Sequence, residues 1–172
     1  MKIFPVDQSL VDKAKTFAQH YHTWQLYGDG NDYFLAHLVP VAHKAMELAK
    51  PLHLDLFAVE IFAYLHDVLE DCEQVTPDMI QEAFGEEILD GVLLLSNRIA
   101  SIPDSKKTAD AYFSAIGSAT PEVKIVKIAD RNINYTRLAD HLDEEKRGKL
   151  SHWYVKQVAY FQKYNIFPEL LS

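Results

Sequence analysis

Apolar residues recur at intervals of three and four through most of the chain, and strand-like alternation is scarce, a pattern that predicts an all-α fold. Leu10, Val11, Ala14, Phe17, Ala18 and Tyr21 share one face of a first helix that begins near Asp7 or Ser9, where either side chain can cap. Gly28-Asp29-Gly30-Asn31-Asp32 is a turn by composition. A second helix takes Tyr33 to Ala49, with Asp32 as its cap and Pro51 as its stop. Pro40 has no N–H to give, which predicts either a break there or a helix proper that starts with Pro40 in its first turn. The third helix is capped by Asp55 and runs to about Asp71, with Leu56, Val59, Phe62, Ala63, Leu65 and Leu69 at helical spacing.

Thr76-Pro77 supplies a cap followed by a first-turn proline, and Phe84-Gly85 closes the short helix they start. Glu86 to Ser96 follows, with Ile88, Leu89, Val92, Leu93 and Leu95 facing inward. Ser101 to Lys107 is a polar loop, and Ala109 to Ile116 restores the helical pattern. Thr120-Pro121 starts the next helix, whose inner face is Val123, Ile125, Val126, Ile128 and Ala129. The last spans Glu144 to Tyr164, and its aromatic stripe reads as core or as a homodimer contact.

Length and charge narrow the field further. With 172 residues, 48% of them apolar, the chain suits one domain with a core that needs no disulfide. A net charge of −8 argues against nucleic acid or an anionic membrane as partner, since both call for a basic surface. A single cysteine, Cys72, excludes an intrachain disulfide, and nothing beside it in sequence lowers its pKa, so it reads as an inert filler. No apolar run reaches transmembrane length, and a cytoplasmic protein is the expectation.

Three apolar helices each carry isolated polar groups of ligand type: His37 on the second, His66 and Asp67 on the third, and Asp130 near the end of the seventh. Two imidazoles and two carboxylates suit Mn²⁺, Fe²⁺, Zn²⁺ or Mg²⁺. For the adjacent His66 and Asp67 to reach one ion, the pair must sit at a helix edge that faces a cavity. Glu70 and Asp71, one turn on, are then carboxylates able to orient or deprotonate a water, and the set reads as hydrolysis of a phosphate ester or anhydride. His20, His22, His43, His53, His141 and His152 carry no usable pattern.

His37, the run Tyr-Leu-His66-Asp67-Val-Leu-Glu70-Asp71, and Lys127-Ile-Ala-Asp130-Arg131-Asn-Ile-Asn134 resemble the pattern of the HD-superfamily metal-dependent phosphohydrolases. Within it, the chain is most similar to the hydrolase domain of the Rel/Spo stringent-response enzymes and to the small stand-alone alarmone hydrolases. The resemblance implies a single-domain HD-type helical bundle over residues 1–172 and a Mn²⁺ held by His37, His66, Asp67 and Asp130. It assigns Glu70 and Asp71 to water activation and Asn134 to the substrate ribose. The implied reaction removes the 3′-pyrophosphate from guanosine tetra- or pentaphosphate or a related purine nucleotide. A 5′-nucleotidase of the same superfamily and a non-catalytic nucleotide sensor are the alternatives.

The chain also departs from that pattern. The family's Arg-Lys pair falls, by offset from Gln25, on Tyr27 and Gly28. Tyr27 can stack on a base but carries no charge, so guanosine and adenosine substrates are expected to differ by no more than about tenfold. Leu38 follows His37 where the family has proline, and Lys106 and Lys107 fall where the family places a phosphate-contacting lysine.

Overall fold

The computed structural model describes residues 6–28, 30–140 and 143–171, so Asp29 of the expected turn and His141 lie outside it. Helix α1 (Gln8–Tyr21) starts where the Asp7 carboxylate accepts from the Leu10 amide. A two-residue hairpin follows, β1 (Leu26–Tyr27) antiparallel to β2 (Asn31–Asp32), with Gly30 at φ 115°, a conformation a side chain would strain. The expected second helix is continuous but not regular. Phe34–Leu38 form a π-helical turn that runs directly into α2 (Val39–Ala49). Pro40 lies in the first turn of α2, where its missing N–H costs least. The carbonyl four residues earlier, Ala36, accepts instead from the Arg137 guanidinium.

The expected third helix, by contrast, is broken. Helix α3 (Leu56–Leu65) stops at His66, and α4 (Val68–Asp71) begins after Asp67. His66 Nδ1–H donates to the Ala63 carbonyl at 2.7 Å, and Asp67 relaxes to φ −104°, ψ −5° before its own carbonyl accepts from the Asp71 amide. Helix α5 (Pro77–Phe84) has Thr76 as its cap, and Gly85, at φ 92°, turns it directly into α6 (Glu86–Leu95). Helices α7 (Ala109–Gly117), α8 (Pro121–Thr136) and α9 (Glu144–Lys163) complete the chain, close to the spans that the apolar pattern predicts.

Helix α2 packs against both α3 and α8, α1 lies on α3, and α9 covers α7 and α8. Val59, Ile61, Ala63 and Leu65 of α3 and Ile125, Val126, Ile128 and Ala129 of α8 are wholly buried, which makes these helices the centre of the core. Asp67 therefore enters from the break after α3 and Asp130 from within α8, where surrounding packing fixes their positions. Among the described residues no helix is long and apolar enough to cross a membrane.

Candidate active site

The break after α3 removes the geometric difficulty of adjacent ligands. On a continuous helix His66 and Asp67 would point about 100° apart; across the break they converge, with His66 Nε2 2.9 Å from Asp67 Oδ2. His37, from the π turn, brings its Nε2 to 3.3 Å from that of His66 and 3.2 Å from Asp67 Oδ2. Asp130 Oδ1 completes the group at 3.5 Å from His37 Nε2 and 3.7 Å from His66 Nε2. Because His66 Nδ1 carries its proton to Ala63, the Nε2 of a neutral ring presents a lone pair, and it faces a second imidazole nitrogen and two carboxylate oxygens. Such a donor set fits a divalent cation, and the ligand atoms of His37, His66 and Asp67 lie within 4.8 Å of one another.

The electrostatics of the cluster agree. Burial works against a charged His66, yet the Asp67 charge and hydrogen bonds to Asp130 and Asp67 outweigh it and hold its pKa well above the ordinary value. Burial likewise opposes an ionised Asp67, but His66 and His37 pull its pKa well down. The cluster thus draws positive charge to itself. Asp130 is set by its own helix. Lys127, one turn back, reaches its Oδ2 at 2.7 Å and, against the cost of burial, lowers its pKa. Arg131 donates to the Asn132 side chain and to the Tyr154 carbonyl.

Glu70 and Asp71 line the same cavity, of about 450 Å³, as His37, Asp67 and Asp130. Glu70 Oε2 accepts from the Asn97 amide at 2.8 Å, and burial followed by the Asp67 charge raises its pKa. A carboxylate whose proton affinity is raised beside a cation site is suited to take a proton from water. Asp71 is held by Gln25 Nε2 at 2.8 Å, while Gln25 Oε1 accepts from His22 Nδ1 at 2.6 Å. His22 is 1% exposed and stacks on Tyr33, whose hydroxyl donates to Asp67 Oδ2 at 2.6 Å. The absence of a sequence pattern around His22 therefore hides a structural role behind both acidic groups. Lys127 and Tyr33, also outside the expected site, had signals in their i,i+3 and i,i+4 spacing to Asp130 and His37.

Other positions correct the sequence expectations. Tyr27 is 7% exposed, stacks on His37 with ring centroids 5.1 Å apart, and donates to Asn134 Oδ1 at 2.9 Å, so it has no open face for a base. The tolerance of either purine that stacking on Tyr27 would give loses its basis. Asn134 Nδ2 in turn donates to Asp130, which engages both ends of that amide. Lys107 Nζ donates to the carbonyls of Leu93 and Ser96 at the end of α6, whereas Lys106 is exposed at the cavity. Trp153 and Tyr154 of the last helix line the cavity as well, so that stripe is not core alone. Cys72 is buried and its thiol is pushed up to about 12, first by burial, as an inert filler should be.

Comparison with known proteins follows the same lines. Residues 34–134 match the family model of the HD domain. No match is found among curated proteins. Among solved structures the fold is similar to that of a metazoan orthologue of SpoT, a protein described as hydrolysing ppGpp and playing a role in starvation responses. The two share 19% identity at a TM-score of 0.69, over 92% of this chain and 88% of that one. With the family model spanning more than half of its length and all three motif segments, this chain belongs to the HD domain family.

Proposed function

We propose that this protein is a divalent-metal-dependent nucleotide phosphohydrolase acting as one HD-type domain. The favoured reaction is removal of the 3′-pyrophosphate from guanosine tetra- or pentaphosphate or a related purine nucleotide. The observation that carries the reading is the facing of two imidazole nitrogens and two carboxylate oxygens beside a cavity that His37, Asp67, Asp130 and Glu70 line. His37, His66, Asp67 and Asp130 would hold the cation, with Mn²⁺ the first choice and Fe²⁺, Zn²⁺ or Mg²⁺ the others. When bound, the cation neutralises phosphoryl oxygens and makes a water more acidic.

The protein's own groups do the rest. Tyr33 fixes one Asp67 oxygen and Lys127 the outer oxygen of Asp130, so neither carboxylate can swing. Glu70 takes the proton of the attacking water, and Asp71, braced by Gln25, orients that water. Lys106 supplies charge to the phosphates as they enter. The likeness to a described ppGpp hydrolase supports the substrate class.

A second reading, a 5′-nucleotidase of the same superfamily, is favoured by one observation: Tyr27 stands where the family's base-contacting Arg-Lys pair would begin. A panel of phosphorylated nucleotides assayed with Mn²⁺ separates the two. Pyrophosphate released from guanosine tetraphosphate supports the first reading. Orthophosphate from nucleoside monophosphates, with no pyrophosphate from the tetraphosphate, moves the assignment to the second. Nucleotide binding without hydrolysis under every divalent metal would leave a sensor.

A further inference from the structure

Aromatic groups at and beside the cavity differ in what already engages them. On the hairpin side Tyr27 stacks on His37 and donates to Asn134, and the Arg137 guanidinium lies 5.2 Å from the Tyr27 ring while donating to the Ala36 carbonyl. Tyr27 is not part of the cavity lining. Trp153, Tyr154 and Gln157, spaced i, i+1 and i+4 along α9, line the cavity. Trp153 is half-buried. Gln157 is 4% exposed, and its Oε1 has no hydrogen-bond partner among the described residues.

A buried amide oxygen left without a donor is costly, and an apolar side chain would fill the same place without that cost. A glutamine in a cavity wall beside an indole suits a flat ring that also carries an N–H group. The indole supplies a π face of the kind on which any base stacks, and a carboxamide both accepts and donates along a base edge.

We propose that this face of α9 is the base subsite, with the nucleobase against Trp153 and one of its N–H groups donating to the Gln157 carboxamide. The phosphoryl end then lies at the His37, His66 and Asp67 cluster. This placement rests on the phosphohydrolase reading and adds to it the side on which the base binds.

The chain has two tryptophans, and Trp24, at 92% exposure, lies outside the cavity lining. Trp24→Phe therefore leaves Trp153 as a lone fluorescent reporter. Titration of this variant with GMP, AMP and ribose 5-phosphate in the presence of Mn²⁺ is expected to change Trp153 emission saturably for the two nucleotides and not for the sugar phosphate. Adding Gln157→Leu is expected to weaken nucleotide binding about tenfold, the effect of one lost hydrogen bond, with ribose 5-phosphate shifted less than twofold by calorimetry. Gln157→Met, measured in the same way, serves if the leucine variant does not fold.

Nucleotide binding that leaves Trp153 emission unchanged, or a Gln157 variant whose nucleotide affinity stays within twofold, overturns the placement. A protein that binds ribose 5-phosphate or pyrophosphate but neither nucleotide loses the base subsite and keeps the phosphohydrolase reading. One that binds and cleaves no phosphorylated compound loses both.

Discussion

His66 and Glu70 are one turn apart in number, and the structure holds them differently. His66 is anchored through Nδ1 and turns its other nitrogen to the cluster, while Glu70 is held by a backbone amide and faces the cavity. His66→Ala or Asp67→Ala should therefore abolish activity through loss of the metal, whereas Glu70→Gln should keep the metal and lower turnover by about 100-fold or more. Elemental analysis decides between these roles, and equal metal loss in all three variants would refute the one given to Glu70. The pKa of Glu70, raised in the folded protein, adds a test of stability. Ionisation in the folded state is unfavourable relative to the unfolded chain, a cost absent below the ordinary carboxylate pKa and fully present above the raised one. In metal-free protein Glu70→Gln should thus raise the melting temperature by about 3 °C at pH 7 and by less at pH 4. Equal shifts in melts at the two pH values would contradict the burial argument.

At the scale of elements, the fold depends on where helices stop and how closely they approach. Helices α3 and α6 meet at Gly91, where an added Cβ would lie 2.2 Å from Cε1 of Phe62. Gly91→Ala must displace that ring and should cost about 1–3 kcal/mol, read from urea denaturation; an unchanged midpoint would show that the contact is loose. Arg137→Ala leaves the Ala36 carbonyl without the guanidinium beside Pro40, and should cost about 1 kcal/mol or more. Helix starts such as Asp7, Thr76-Pro77 and Thr120-Pro121 were legible in the sequence because caps and first-turn prolines act within a few residues. The break at His66 and Asp67 was not, since the apolar spacing continues straight across it and the interruption comes from a side chain bonding back to Ala63. The same division holds for the site. The motif segments marked the residues that now lie together, but the burial of Tyr27 depends on Asn134 and Arg137, which are distant in sequence. Trp153 and Gln157 reach the cavity through the packing of α9 on α7 and α8, a long-range fact that periodicity does not carry.

For the whole molecule, a chain with net charge −8 gathers four of its carboxylates around one cavity, Asp67, Glu70, Asp71 and Asp130, with Lys106, Lys107 and Lys127 nearby. A polyanionic nucleotide enters such a cavity against the field unless a divalent cation inverts it. Metal and substrate should therefore bind interdependently, with nucleotide affinity falling at least tenfold after chelation, as calorimetry with and without EDTA would show. The most direct measurement is pyrophosphate release from guanosine tetraphosphate by the Mn²⁺-loaded protein, run beside its Asp67→Ala variant. Steady release by the native chain is expected, stopping with EDTA and absent from the variant. Release that survives both EDTA and Asp67→Ala, or no hydrolysis of any phosphorylated nucleotide by the native chain under any divalent metal, would contradict the proposed metal-dependent hydrolysis.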